Sequence, residues 1–132
     1  MILEYLPLRN LEHKHTQQPF SYQESLTILC QSLDALTSIY EDGIVHRDIK
    51  PENILVQSRN PLYIKFADFG VLKATTDLET FCGSSLYVAP EIFTNRRGTY
   101  YTKACDIWSL GVVIYKYYGS LPKFDKEDEG LP

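Results

Sequence analysis

Ile44–Val45–His46–Arg47–Asp48–Ile49–Lys50–Pro51–Glu52–Asn53 is the stretch that decides how this chain is read. It sets a carboxylate (Asp48), an ammonium (Lys50) and a carboxamide (Asn53) within a few residues of one another, and an apolar run, Ile54–Leu55–Val56, follows directly. The plain alternative is a charged surface turn between two strands. Five residue types at fixed spacing recur by chance about once in several million starting points, at about one in twenty per position. Two further strings follow in order, Asp68–Phe69–Gly70 and then Ala89–Pro90–Glu91.

The His-Arg-Asp-x-Lys-x-x-x-Asn string resembles the catalytic loop of protein kinases. That family is the general template for phosphoryl transfer, so the roles given below are the template's. Asp-Phe-Gly and Ala-Pro-Glu come in the family's order, separated by a segment of ordinary activation-loop length. Small-molecule kinases of related shape are not expected to carry the third string. The resemblance covers essentially the whole chain and implies an α+β fold: a protein-kinase-like large, C-terminal lobe, mainly helical, with a short β-hairpin at the cleft. It implies a single partial domain over 1–132. Within it lie a hinge at 1–8, a helix at 21–41, the catalytic loop at 44–53, a hairpin at 54–66, an activation segment at 68–91 and a buried helix at 102–118.

Composition is compatible with that reading. The 132 residues are 44% hydrophobic and 23% charged, in the range of a soluble globular domain with a core. A net charge of −4 argues against non-specific binding to nucleic acid or acidic membrane. Cys30, Cys82 and Cys105 are widely spaced and odd in number, which fits neither a zinc pattern nor a disulfide framework, so an intracellular, reducing compartment is expected. The start lacks a secretory pattern, and no apolar run reaches the ~18 residues that would span a membrane.

Local patterns place the elements. Ser21–Tyr22–Gln23–Glu24 reads as a capping box. Leu26, Leu29, Leu33, Leu36, Ile39 and Tyr40 recur at helical spacing, and Asp42–Gly43 closes the helix. The apolar run Ile54–Val56 and the alternating stretch Leu62–Phe66 flank a polar turn at Gln57–Pro61 and read as a β-hairpin. His13, Lys14 and His15 read as a solvated helix face, Thr75 to Ser85 as a polar loop, and Glu91 to Thr102 as an irregular connection. Thr102 is a plausible N-cap for the last helix, whose interior, Ile107 to Tyr115, is apolar on nearly every side and therefore expected to be buried.

The resemblance also implies roles. Asp48 would orient the acceptor hydroxyl and take its proton. Lys50 would reach the transferred phosphate, and Asn53 and Asp68 would supply oxygen ligands to Mg2+. The backbone of Leu3, Glu4, Tyr5 and Leu6 would bond the adenine edge of ATP. Asn10 would lie near the ribose, Leu11 under the adenine, and Leu55 at its floor. A Lys two residues after the catalytic Asp goes with serine/threonine specificity, and Ser84 would contact Asp48 and Lys50. Phe69 and His46 would stack, and Asp106 would accept hydrogen bonds from the backbone near His46 and Arg47. Arg47 would pair with a phosphate on Thr80. The implied partners are ATP and a protein substrate.

Some parts of the template are missing from the sequence. No G-x-G-x-x-G loop and no V-A-I-K strand occur, and no Arg follows Arg97 to pair with Glu91. Such an orphaned pair would cost about 3–5 kcal/mol. The sequence therefore reads as the middle of a serine/threonine kinase domain, expected to be weakly stable and inactive by itself. The alternative is a non-catalytic, kinase-like binding module.

Overall fold

The computed structural model of the protein describes residues 6–67, 85–94 and 101–119. Leu3, Glu4, Tyr5, Asp68, Phe69, Thr80 and Ser84 fall outside the described residues. The elements in chain order are α1 (Leu11–Gln17), α2 (Tyr22–Glu41), β1 (Ile54–Arg59), β2 (Leu62–Phe66), α3 (Pro90–Thr94) and α4 (Lys103–Tyr118). Single 3-10 turns stand at Pro51–Asn53 and Ser85–Tyr87. The described residues thus form the expected α+β arrangement, mostly helical with a two-stranded antiparallel sheet.

Helix α2 forms because both of its ends are written into the sequence. Ser21 Oγ accepts the Glu24 amide at 3.1 Å, and Glu24 Oε2 accepts the Ser21 amide at 2.8 Å. At the other end Gly43, at φ +72, lets the Ile44 amide reach Ile39 O while its own reaches Tyr40 O, both at 3.0 Å. This paired closure needs a left-handed residue that glycine supplies without strain.

The inner face of α2 differs from the leucine pattern. Its buried stripe is Ser25, Ile28, Ser32 and Leu36, with Leu29, Ile39 and Tyr40 packed beside it. Leu26 and Leu33 are 37% and 40% exposed. They lie about a quarter turn or more around the helix from the stripe. Periodicity counted leucines, whereas the positions that meet β2 and α4 include two serines, whose small side chains allow close approach.

The hairpin is sealed along both edges. β1 runs further than expected, to Arg59, with a bulge between Val56 and Ser58. The Val56 amide donates to Arg9 O at 2.8 Å, and Asn10 bridges Leu55. Across the sheet, the Gln31 carboxamide accepts the Ile64 amide at 2.9 Å and donates to Leu62 O at 2.7 Å. Exposed strand edges invite mispairing, and these contacts occupy them.

Helix α4 is not buried all round. Cys105, Asp106, Leu110, Val113 and Tyr117 point inward, whereas Ile107, Trp108, Tyr115 and Tyr118 are exposed. The inward residues recur at 3–4 spacing and pack against α2 and the Ser85–Tyr87 turn. Thr102 occupies the N-cap position, but its side chain makes no capping bond and instead lies 3.8 Å from Cys105 Sγ. Glu91–Thr94, expected to be irregular, belongs to α3. His13, Lys14 and His15 are half-buried, not a solvated face, and the His15 ring packs 4.6 Å from the Tyr117 ring. Leu11, Ile28, Ile49, Ile54, Val56, Leu110 and Val113 form the centre of the core. Among the described residues no helix is long and apolar enough to cross a membrane.

Candidate active site

The turn between α2 and β1 is held from three sides. Asp106, 1% exposed in the first turn of α4, accepts the His46 amide on Oδ2 at 2.8 Å and the Arg47 amide on Oδ1 at 2.9 Å. The backbone contact expected of Asp106 is therefore present. A third donor was not anticipated: the Tyr40 hydroxyl donates to Asp106 Oδ2 at 3.1 Å. Arg47 sits at φ +72, a left-handed conformation that costs a non-glycine residue about 1–3 kcal/mol and is kept only where neighbours over-determine it.

His46 braces the turn from inside. Its Nδ1 accepts the Asp48 amide at 3.3 Å, which leaves the proton on Nε2, 3.2 Å from Ala67 O. Its ring lies 5.4 Å from Phe66. The partner expected for that ring, Phe69, lies outside the described residues.

Asp48, Lys50 and Asn53 come together as their spacing suggested. Asn53 Nδ2 donates to Asp48 O at 2.9 Å and to Asp48 Oδ2 at 2.8 Å. Lys50 Nζ is 3.7 Å from the same Oδ2. The Pro51–Asn53 turn makes this possible by bringing the Asn53 amide to Lys50 O at 3.0 Å. Asn53 is 8% exposed, and its backbone oxygen accepts the Ala67 amide at 2.8 Å, which ties the end of β2 to the loop. Because Nδ2 is committed to Asp48, Oδ1 is the carboxamide atom left to act as a hard oxygen donor. Such a donor suits Mg2+, which takes few protein ligands and keeps several waters. Asp68, the second expected ligand, lies outside the described residues.

Residues expected around a nucleotide are partly placed. Leu6 is half-buried, and its carbonyl accepts the Arg9 amide at 3.2 Å. Asn10 and Leu55, 45 residues apart in sequence, are bridged backbone to backbone. The Asn10 side chain caps α1, with Oδ1 accepting the His13 amide at 2.9 Å. Leu11, expected beneath the adenine, has 0% exposure and is a core side chain. The Arg47 guanidinium lies 5.9 Å from the centre of the Tyr101 ring. Thr80 and Ser84 lie outside the described residues.

The Ala89–Pro90–Glu91 string is fastened to α4. Ser109 Oγ donates to Tyr87 O at 2.6 Å, and the Cys105 thiol donates to Glu91 Oε1 at 3.6 Å. Glu91, expected to lack a partner, thus has a weak one. Lys116 pairs with Glu12. Burial pulls the Lys116 ammonium down, but the Glu12 and Tyr87 contacts outweigh it and leave its pKa raised. Sequence reasoning missed Tyr40 and Lys116 because their partners are 66 and 104 residues away, and no local pattern encodes such pairings.

A catalytic-type turn braced by a buried aspartate and backed by a hairpin defines a class, and comparison agrees. The protein kinase domain family matches residues 1–131, and the chain belongs to that family. It is similar to the serine/threonine-protein kinase cds1 of Schizosaccharomyces pombe, 44% identical over 101 residues, covering 70% of this chain and 21% of that one. It is also similar to the MAP kinase-interacting serine/threonine-protein kinase 2 of Xenopus laevis, 36% identical over 128 residues, covering 86% of this chain and 27% of the relative. A CBL-interacting serine/threonine-protein kinase of Arabidopsis thaliana is 34% identical over 135 residues, covering 100% of this chain and 31% of the relative. The chain spans between a fifth and a third of the length of these three curated relatives.

Proposed function

We propose that this chain carries the phosphate-acceptor side of a serine/threonine protein kinase site, which moves the γ-phosphate of Mg·ATP to a protein hydroxyl. The observation that carries the reading is the joint placement of Asp48, Lys50 and Asn53 on one braced turn. Asp48 accepts the proton of the substrate hydroxyl and is oriented by the Asn53 amide. Lys50, 3.7 Å from Asp48, balances charge on the transferred phosphate and is the residue that points to serine or threonine acceptors. Asn53 and Asp68 hold Mg2+, which when bound neutralises the phosphate oxygens. The Leu3–Leu6 backbone, Asn10 and Leu55 form the adenosine side. Arg47 and Thr80 form a phosphorylation switch, with Ser84 on the substrate side.

The test is transfer of labelled phosphate from ATP to serine- and threonine-containing peptides. The whole protein from its own cells is compared with its Asp48→Asn variant. The expected loss is about 10²–10⁴-fold in rate, the scale of acid–base assistance. Equal transfer by both proteins overturns the reading. The 132 residues hold no G-x-G-x-x-G and no V-A-I-K string, so by themselves they are expected to transfer phosphate negligibly. The second reading is a kinase-like binding module. It would be supported if the whole protein captured a partner with equal affinity in wild-type and Asp48→Asn forms while transferring no phosphate.

A further inference from the structure

The Asp106 carboxylate has a donor that the loop itself does not supply. Tyr40 stands in the last turn of α2, its ring packed against the core and covered by Lys103 Nζ at 5.2 Å from the ring centre. This clamp aims the hydroxyl at two acceptors, Asp106 Oδ2 at 3.1 Å and Lys103 O at 3.3 Å. One proton serves both, and the nearer, carboxylate acceptor makes the stronger bond. Oδ2 is also the atom that receives the His46 amide.

We propose that Tyr40 is a positioning residue for the catalytic loop, fixing the rotation of the Asp106 carboxylate so that its two oxygens stay in register with the His46 and Arg47 amides. The inference rests on reading that loop as catalytic. Burial and the neighbouring Asp106 push the Tyr40 phenol above its ordinary range, so the hydroxyl keeps its proton and remains a donor. Without it, Oδ2 keeps, among the described residues, only the His46 amide, and the carboxylate can turn about its last side-chain bond. Arg47, held at positive φ, bonds the other oxygen of the same carboxylate, so that rotation reaches its amide too. Displacement there carries to Asp48, whose amide rests on His46 Nδ1. Helix α2 therefore holds the loop twice: through the Gly43 closure and, across space, through Asp106.

The test compares hydrogen exchange at single amides in the full chain and its Tyr40→Phe variant, which keeps the ring and removes the hydroxyl. His46 and Arg47 amides are expected to exchange about tenfold faster, equivalent to about 1.4 kcal/mol. The Gly43 and Ile44 amides, which close α2 on Tyr40 O and Ile39 O, are expected to stay unchanged. Unchanged exchange at His46 and Arg47 overturns the proposal. Acceleration of all four amides also overturns it, because Tyr40 would then merely hold the helix end. Should the variant fail to fold, the wild-type chain decides. A slowly exchanging Tyr40 hydroxyl proton with a cross-relaxation peak to the His46 amide supports the proposal, and its absence overturns it. Neither readout needs catalysis, so a protein that transfers no phosphate would sink the proposed function without touching this result. If the whole protein does transfer phosphate, Tyr40→Phe is expected to lower kcat about tenfold and leave KM for ATP unchanged.

Discussion

The two ends of α4 solve opposite problems. At its start, Asp106 is a buried carboxylate whose oxygens receive three directed hydrogen bonds from α2 and the loop. At its finish, Tyr117 buries a hydroxyl with no described partner, and its ring is packed against His15 and Phe20 at 4.6 and 5.2 Å. The first end fixes geometry by direction, and the second end fixes it by filling space. A turn that must hold reacting groups to a fraction of an ångström needs the former, since packing alone tolerates small rotations.

The largest effect is expected at the directed end. Asp106→Asn keeps the shape but turns an NH2 group toward one or two of the three donors. Buried donors left unpaired cost about 1–3 kcal/mol each, so a loss of about 3–5 kcal/mol is expected in the denaturant unfolding of the chain. A loss below about 1 kcal/mol would erase the distinction between the two ends.

Next comes the peg between α2 and β1, which has the same directed character on a more exposed surface. Arg59 grips Glu24 with Nε to Oε1 at 2.9 Å and a second nitrogen to Oε2 at 3.1 Å, and also reaches Gln18 O at 3.0 Å. Arg59→Met is expected to cost about 1–2 kcal/mol, above the range of simple surface pairs because the grip is bidentate and shared with a helix cap. The Arg59 hydrogen bond, opposed by burial, holds the Glu24 carboxyl below its usual range. A depressed carboxyl contributes stability above its unfolded value of about 4.3, and that contribution is lost as pH falls through the lower folded value. Unfolding midpoints measured from pH 6 to pH 2.5 should therefore fall less steeply in Arg59→Met than in wild type.

The packed end should respond with the opposite sign. Tyr117→Phe removes a buried hydroxyl that has no described partner, so it is expected to be neutral or to stabilise by up to about 1 kcal/mol. A loss of more than about 1 kcal/mol would mean that this hydroxyl has a partner, and that the two ends are more alike than they look.

Legibility in the sequence follows the same division. Motifs whose partners lie close along the chain were readable: the Ser21–Glu24 box, the Gly43 closure, and the gathering of Asp48, Lys50 and Asn53 by one short turn. The Asp106 contact, sixty residues from its partners, was readable only because the chain resembles a family in which that contact recurs. Pairings with no local or family pattern were not readable. Tyr40 reads as one more apolar position in α2, and no local pattern joins Lys116 to Glu12. The inner face of α2 was misjudged for a related reason. Burial there follows the direction of β2 and α4, which selects Ser25 and Ser32 over Leu26 and Leu33.

The smallest expected effect separates the ends by pH. His15 is half-buried against Tyr117 and Phe20, and its Nδ1 accepts the Phe20 amide at 3.1 Å. Burial lowers its pKa; Glu12 pulls it back up, and Lys116 and Arg59 push it further down. The unfolded chain therefore binds a proton near pH 6.5 that the folded chain still refuses. Stability contributed at His15 is complete above that value and is lost as pH falls through the folded value. Solvent screening limits the change to a few tenths of a kcal/mol, roughly, between pH 7.5 and 5. His15→Gln removes the titrating group and offers an acceptor for the Phe20 amide, so the stability difference between wild type and variant should drift against wild type as pH falls across this window. A drift in the opposite direction would mean that a carboxylate governs His15 and that this end, too, is organised by charge; no drift would mean that packing there does not press on the ring.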